Sequence, residues 1–589
     1  MTSAQQEGPR HSRLPLQQKL AFAAPGFASA GLALPIYAFM PKFYTDVALA
    51  PLGFVAVVIA VARAFDAITD PTMGWLSDRS RTRWGRRRPW ILLGAPLTAI
   101  SVIALFAPPG ELSPSGAALW FGATFTLYFL FHTMYWVPYS ALGFELTPDY
   151  NERSSVFGWR EGSALLGTFV ASLAPWYVDD IVGDERTGYF QVGIFFAVLL
   201  IALFGWLVLS IRERPDFVAR ESNPLIPGIR RSLRNGPFRI LLLAYVISAL
   251  SAAIPATIAP YFLEYVLKPE RYGLWLTLSI GSFVFAGVAS IPGWIWLARK
   301  VGKRGAWFVQ IFVGISGNLP IFLLGEGQEL AFTLLLLYAG TNMGANLIHP
   351  AMQADVIDYD ELHSGKRREA QYASLWSIVP KFVAIPSAAV PLSVLAVVGY
   401  IPNQPQPEEV QLALRIILGI VPPATLLVSL FFALRYPITE KVHRTILDGI
   451  ALHESGESAT DPITGSVISP PRKRLVSEEQ SWFMDYFSTA ELATVERRGP
   501  GNLPRNIGLR TLAYLVPTLA LAAWISEQLE DLANEPSGLV TFAIVGAGWL
   551  LTLTVFHALR LPAALEMRRS PPDRRALSDH IAETATASR

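Results

Sequence analysis

The sequence predicts an all-α integral membrane protein, built as two six-helix bundles with two extra C-terminal transmembrane helices. Three observations lead there. Of 589 residues, 52% are hydrophobic and only 16% charged, where a soluble domain carries about 25% charge. Apolar runs of about 20 residues, enough to cross a hydrocarbon core of about 30 Å, recur from end to end. Lysine and arginine alternate between successive loops, as they do when one side of a membrane retains the positive charge.

The apolar runs place fourteen spans, at 20–44, 54–77, 90–107, 117–144, 161–178, 189–211, 238–267, 272–298, 306–324, 330–356, 372–400, 410–433, 511–529 and 539–559. The basic residues check the count. Loop 2–3 holds Arg79, Arg81, Arg83, Arg86, Arg87 and Arg88, and loop 6–7 holds Arg212, Arg214, Arg220, Arg230, Arg231 and Arg234. Loop 8–9 holds Arg299, Lys300, Lys303 and Arg304, and loop 10–11 holds Lys366, Arg367 and Arg368. Loops 3–4, 9–10, 11–12 and 13–14 hold none. A missed span in the middle would break this alternation, which puts both termini in the cytoplasm of a cell whose inner (plasma) membrane the chain crosses.

The expected units are a cytoplasmic N-terminus (1–19), an N-terminal six-helix bundle (20–211), a cytoplasmic central loop (212–237) and a C-terminal six-helix bundle (238–438). A cytoplasmic polar insert (439–510), two extra transmembrane helices (511–560) and a cytoplasmic tail (561–589) follow. The insert is rich in Ser, Pro, Glu and Arg, so part of it is expected to be disordered, with a small helix near 477–494. The polar stretch Met1–Pro15 lacks the apolar core of a cleaved signal peptide. With no cysteine in the chain, thiolate chemistry is excluded. No phosphate-cradling glycine loop, nucleophile elbow or metal-ligand spacing occurs, so neither an enzyme nor a cofactor is expected. The arginine runs fall where topology already explains them, so nucleic-acid binding is not expected.

The two halves repeat weakly. Span 2 ends in Gly74-Trp75-Leu76-Ser77-Asp78 and a basic turn, Trp84-Gly85-Arg86-Arg87-Arg88; span 8 ends in Gly293-Trp294-Ile295-Trp296-Leu297 and a basic turn, Gly302-Lys303-Arg304. Two parallel six-span repeats resemble the major facilitator architecture.

An ionisable group inside a bilayer costs at least about 2.5–3.5 kcal/mol and is a functional candidate for that reason. Span 2 carries Arg63, Asp66 and Asp70, whose spacing puts them on one helical face. Two carboxylates beside one guanidinium suit a cation, either a dehydrated sodium or a proton, with Thr69 between them as a further oxygen. The alternative is that Arg63 and Asp66 merely pair, and that Asp70, near the cytoplasmic end, is solvated. Lys381 in span 11 needs an acidic partner if it is deep, and span 2 is the obvious supplier; a lysine at the membrane surface is the alternative. No metal beyond sodium at Asp66 and Asp70 is expected. Span 10 carries Asn342, Asn346, His349 and Gln353, spaced as a polar stripe suited to hydroxyl recognition or to interhelical hydrogen bonds. His132 and Trp136 in span 4 offer a face for a sugar, or packing. Arg160 begins span 5, reaching the cavity or capping the helix. Asp78, Arg79, Arg86, Arg87 and Arg88 are candidates for a cytoplasmic gate.

The run from Arg63 through Asp66, Asp70-Pro71 and Gly74 to Asp78-Arg79 and Arg88-Pro89 resembles the glycoside-pentoside-hexuronide:cation symporter family. Further matches are Phe43-Tyr44-Thr45-Asp46-Val47, Glu145 to Arg153, and Asp355-Val356-Ile357-Asp358-Tyr359. The resemblance covers about residues 14–445 and not the last two spans. It implies a sodium- or proton-coupled symporter working by alternating access, with the cation at Asp66 and Asp70, a coupling lysine at Lys381, an arginine near the sugar at Arg160, and Arg63 one turn before the first carboxylate. Two departures stand out. Sugar-binding members carry an aspartate just after a glycine in span 1, where this chain reads Gly26-Phe27-Ala28, and a span-4 carboxylate of the family is replaced at about Trp136.

The expected function is therefore a secondary active symporter that couples inward sodium or proton movement to uptake of a small organic solute, with a glycoside or other sugar foremost. The alternatives are an amphiphilic or anionic solute, or a non-transporting sensor of the same fold with the extra spans as its output. Asp66, Asp70 and Lys381 argue against a sensor, which has no use for a coupling cation. The solute and the lipid bilayer are the expected partners, and the oligomeric state is left open.

Overall fold

The computed structural model describes residues 14–147, 150–213, 232–365, 368–470, 482–532 and 538–586. Helices run through all fourteen expected spans, and eleven helical stretches among the described residues are long and apolar enough to cross a membrane. The N-terminal half comprises α1 (Leu16–Asp46), α2 (Leu52–Arg79), α3 (Arg88–Phe106), α4 (Pro114–Glu145), α5 (Tyr150–Ala171) and α6 (Glu185–Ser210). The C-terminal half comprises α7 (Gly236–Leu267), α8 (272–301), α9 (303–323), α10 (Glu329–Ser364), α11 (Glu369–Val397) and α12 (Glu408–Ala433). Helices α8 and α9 run on without a loop, separated by Gly302, whose φ of 76° a side chain would strain.

Local sequence sets these boundaries. Ser113, Asp184 and Asn235 each accept a hydrogen bond from the backbone N–H three residues on, satisfying a donor that the helix start leaves open. Pro25, Pro35 and Pro41 lie within α1, and a π-turn at Pro35–Phe39 absorbs the misfit. Where α1 crosses α5, a Cβ on Gly167 would lie 2.0 Å from the carbonyl oxygen of Phe27, so only glycine allows that approach.

The internal repeat reappears as ion pairs. After α2, Arg87 Nη2 bonds Glu145 at the end of α4 (2.7 Å) and Asp78 at the end of α2 (2.9 Å), and Arg86 also bonds Glu145. After α8, Lys303 bonds Asp355 near the end of α10 (2.6 Å). On the opposite face, the buried carboxylate of Asp46 joins the halves. It accepts from Tyr265 (2.7 Å) and Tyr400 (2.5 Å), pairs with Lys42 (2.9 Å), and its carbonyl accepts from Asn403 (2.6 Å). Lys42 also pairs with Glu264.

The segment expected to be polar and partly disordered is built up on both sides of residues 471–481, which lie outside the described ones. Helix α13 (Glu440–Glu454) packs on α10, and a two-stranded antiparallel hairpin, β1 (Ala459–Thr460) with β2 (Val467–Ile468), follows it. Asp461 in the hairpin accepts from Tyr359 (3.0 Å) and pairs with His363 (3.3 Å). A 3₁₀ turn at Trp482–Tyr486 and α14 (Thr489–Arg498) provide the small helical region expected near 477–494. The last spans are α15 (Leu503–Leu532) and α16 (Gly538–Ala558). The expected tail folds as α17 (Leu561–Arg569) and α18 (Arg574–Thr586), which close a small core with α14 around Phe487, Leu492, Ala563 and Met567. At its centre Arg560, 1% exposed, donates to Glu491 (2.6 Å) and to the carbonyl of Tyr486 (3.0 Å).

Candidate functional site

Helix α2 places Asp66 and Asp70 against α4. Asp66 is 4% exposed, and Asp70 is half-buried. The Thr133 hydroxyl of α4, 1% exposed, lies 3.0 Å from an oxygen of each carboxylate and donates to either. A hydrogen bond to a charged carboxylate is among the stronger kinds, and it offsets part of the cost of holding charge inside the bilayer. Thr69 joins this group differently from expectation. Its hydroxyl donates to the Asp66 backbone carbonyl (3.2 Å) and lies 3.5 Å from that of Thr133.

Arg63 faces aromatic rings. Its guanidinium sits 4.0 Å from the Tyr37 ring centroid and 4.8 Å from that of Phe129, and donates to the Tyr37 hydroxyl (3.3 Å). Such stacking holds a cation in place without neutralising it. Lys381 lies in α11, which packs along α2; its side chain is outside the described residues.

A second group sits where α4 meets α5. Trp136 stacks on His132 (5.6 Å, 22°), and Arg160 lies 4.8 Å from the Phe157 ring and 5.9 Å from the Trp136 ring. Arg160 Nη2 donates to the exposed Glu161 carboxylate (2.5 Å). A Cβ on Gly26 would come within 3.0 Å of the Arg160 carbonyl, so α1 passes directly behind this arginine.

The four span-10 residues do not form one stripe. Thr341–Leu347 is a 3₁₀ helix, with three residues per turn, so the α-helical spacing of Asn342, Asn346, His349 and Gln353 fails there. Asn346 is exposed, whereas His349 and Gln353 are buried. His349 packs beside Trp307 (5.5 Å), Tyr245 (5.6 Å) and Trp376 (6.4 Å). Trp307 and Gln310 of α9, with His349 and Gln353, each keep a buried polar atom without a partner among the described residues. Trp307, Gln310 and Thr133 were missed by sequence reasoning. For Thr133, the neighbouring His132 was the available signal.

The arginines expected at a gate bind within the N-terminal half. Besides Glu145 and Asp78, the backbone N–H groups of Arg86, Arg87 and Arg88 donate to Glu213 (2.9, 2.8 and 2.8 Å), and Arg88 donates to the Val208 carbonyl. Arg79 is exposed. Sequence spacing shows no metal-ligand set, yet folding brings Asp355, Asp358 and His443 together, their ligand atoms within 4.8 Å of one another. His443 bonds Asp358 (2.9 Å) and Lys303 occupies Asp355, which makes the group an ion-paired network.

Residues 21–440 match a family described as MFS/sugar transport protein. The inner membrane symporter YicJ of Escherichia coli is 28% identical over 450 residues, covering 74% of this chain and 95% of its own. A zebrafish (Danio rerio) sodium-dependent lysophosphatidylcholine symporter, 1-B, is 25% identical over 506 residues, covering 77% and 93%. Among solved structures, a bacterial homologue of the human lysosomal transporter Spinster superposes with a TM-score of 0.52 at 15% identity, over 74% of this chain and 97% of that one. Together with the family match, that likeness supports the major facilitator fold.

Proposed function

The chain belongs to the MFS/sugar transport family, and from that premise we propose that it is a secondary active symporter driving uptake of a small hydroxylated solute, foremost a glycoside or other sugar, with sodium or protons. The observation that carries this reading is the pair of carboxylates on α2, Asp66 and Asp70, sharing one hydroxyl from a neighbouring helix. Arg63, one turn before Asp66, is seated on the Tyr37 and Phe129 rings. Lys381, on the helix packed against α2, competes with that cation and so couples its arrival to movement of the halves. Trp136, His132 and Arg160 supply an aromatic face and a hydrogen-bond fork for the solute. The basic face is cytoplasmic, as are both termini, and the Asp46 cluster closes the outer face.

A second reading, an amphiphilic solute, is favoured by the likeness to the zebrafish lysophosphatidylcholine symporter and by the missing carboxylates near Gly26 and Trp136. Uptake of labelled glycosides into proteoliposomes, with and without an inward sodium or proton gradient, tests both. Gradient-driven accumulation that Asp66→Asn abolishes supports sugar symport. Absent glycoside uptake, together with gradient-driven uptake of a lysophospholipid, supports the second reading. Equal accumulation by Asp66→Asn places the coupling site elsewhere.

A further inference from the structure

Helix α16 lies beyond the matched region 21–440, yet it touches the centre of it. It packs against α2 of the N-terminal half and α11 of the C-terminal half, covering the seam between them. The approach to α2 is made by small residues. A Cβ built on Gly548 lies 3.7 Å from the Cβ of Ala64, an ordinary contact that a methyl fills and a longer side chain overfills. Ala64 is the neighbour of Arg63 and lies two residues before Asp66. Helix α2 is therefore held from several sides, by Thr133 of α4, by α11, and by α16 behind Ala64.

Two carboxylates that share one hydroxyl tolerate little displacement, because hydrogen bonds weaken steeply outside about 2.5–3.2 Å. A helix seated behind one of them sets how far α2 can retreat. We propose that Gly548 and its helix are a positioning element for cation binding, fixing α2 so that Asp66 and Asp70 meet Thr133. This rests on the reading that Asp66 and Asp70 hold the cation. The appended spans then belong to the coupling machinery.

The native chain has no cysteine, so the contact is tested directly by pairing Ala64→Cys with Gly548→Cys. A Cβ separation of 3.7 Å falls at the value disulfides adopt, about 3.8 Å, and oxidation of the full chain in nanodiscs is expected to link the two. Failure to link would remove the contact and the proposal with it. The functional arm titrates sodium binding by calorimetry and, in sodium-free buffer, proton uptake. Gly548→Leu crowds Ala64 and is expected to raise the half-saturating cation concentration about fivefold or more, with the number of binding sites per protein unchanged. Gly548→Ala should match the native chain, and Ala64→Gly in the Gly548→Leu background should restore affinity by making room. A simple folding defect would lower the number of sites and leave their affinity alone, which overturns the proposal. Native affinity in Gly548→Leu, with binding lost in Asp66→Asn, overturns it while leaving the cation site standing. Full binding in Asp66→Asn removes the cation reading and this inference together.

Discussion

At the residue scale, the arrangement turns on one hydroxyl. Thr133 serves both carboxylates at 3.0 Å, so Thr133→Val, nearly the same shape without the oxygen, is expected to weaken cation binding about tenfold or more, while Thr133→Ser stays near native. Sodium and proton titrations of the purified chain check it, and equal affinity in the valine variant would contradict a shared role. The carboxylates themselves were legible in the sequence, since a charge in an apolar run announces its own cost. Thr133 was not, because a threonine in a span usually bonds its own helix, as Thr124 does to the Trp120 carbonyl (2.7 Å). Only the crossing of α2 and α4 gives Thr133 its partners. Arg63 was legible as a charge within an apolar run, but its placement on Tyr37 and Phe129 depends on side chains from two other helices.

At the element scale, helices were legible because apolar length alone specifies a span. The polar stripe of span 10 failed because a 3₁₀ turn changes the period under Asn342 and Asn346, and nothing in the local residue types announces such a turn. The segments flanking the last two spans read as a polar insert and tail because their apolar residues are few, yet those few converge. Two expectations follow for them. Glu491 sits on the buried Arg560, and removing one partner of a buried pair costs about 3–5 kcal/mol. Glu491→Ala should therefore raise hydrogen exchange across α14 and α17. Helix α13 is held to α10 through His443. Its hydrogen bond to Asp358 raises the imidazole pKa above the ordinary value, against the opposing effect of burial. A raised folded value means that this contribution is fully present below about pH 6.5 and fades as pH climbs through the folded pKa. Protease protection of α13 should fall over that rise, and His443→Gln should flatten the profile.

At the scale of the whole molecule, the two halves and their repeat were legible in the basic turns, which the fold returns as matching ion pairs, Arg87 with Glu145 and Lys303 with Asp355. What closes one half on the other was not legible, because Asp46 gathers Tyr265, Tyr400 and Asn403 from more than 200 positions away. Asp46→Asn keeps the shape and removes the charge that Lys42 pairs with. It should widen the distance between the halves on that face, as measured between spin labels on cysteines placed in this cysteine-free chain. Unchanged distances would show that packing alone holds the face shut.

That closure has an electrical side. A membrane voltage falls only across the part of a path from which water is excluded. On the proposed orientation, with the Asp46 face outermost, the voltage drop would lie between the outside and the carboxylate pair. If a cation accompanies the solute inward as proposed, in a cell with a negative interior it would deliver about 2.3 kcal/mol per 100 mV, a solute concentration ratio of roughly fiftyfold. On the proposed symport of an uncharged solute, turnover should carry current, and the resting potential would then act as a fuel beside the ion gradient.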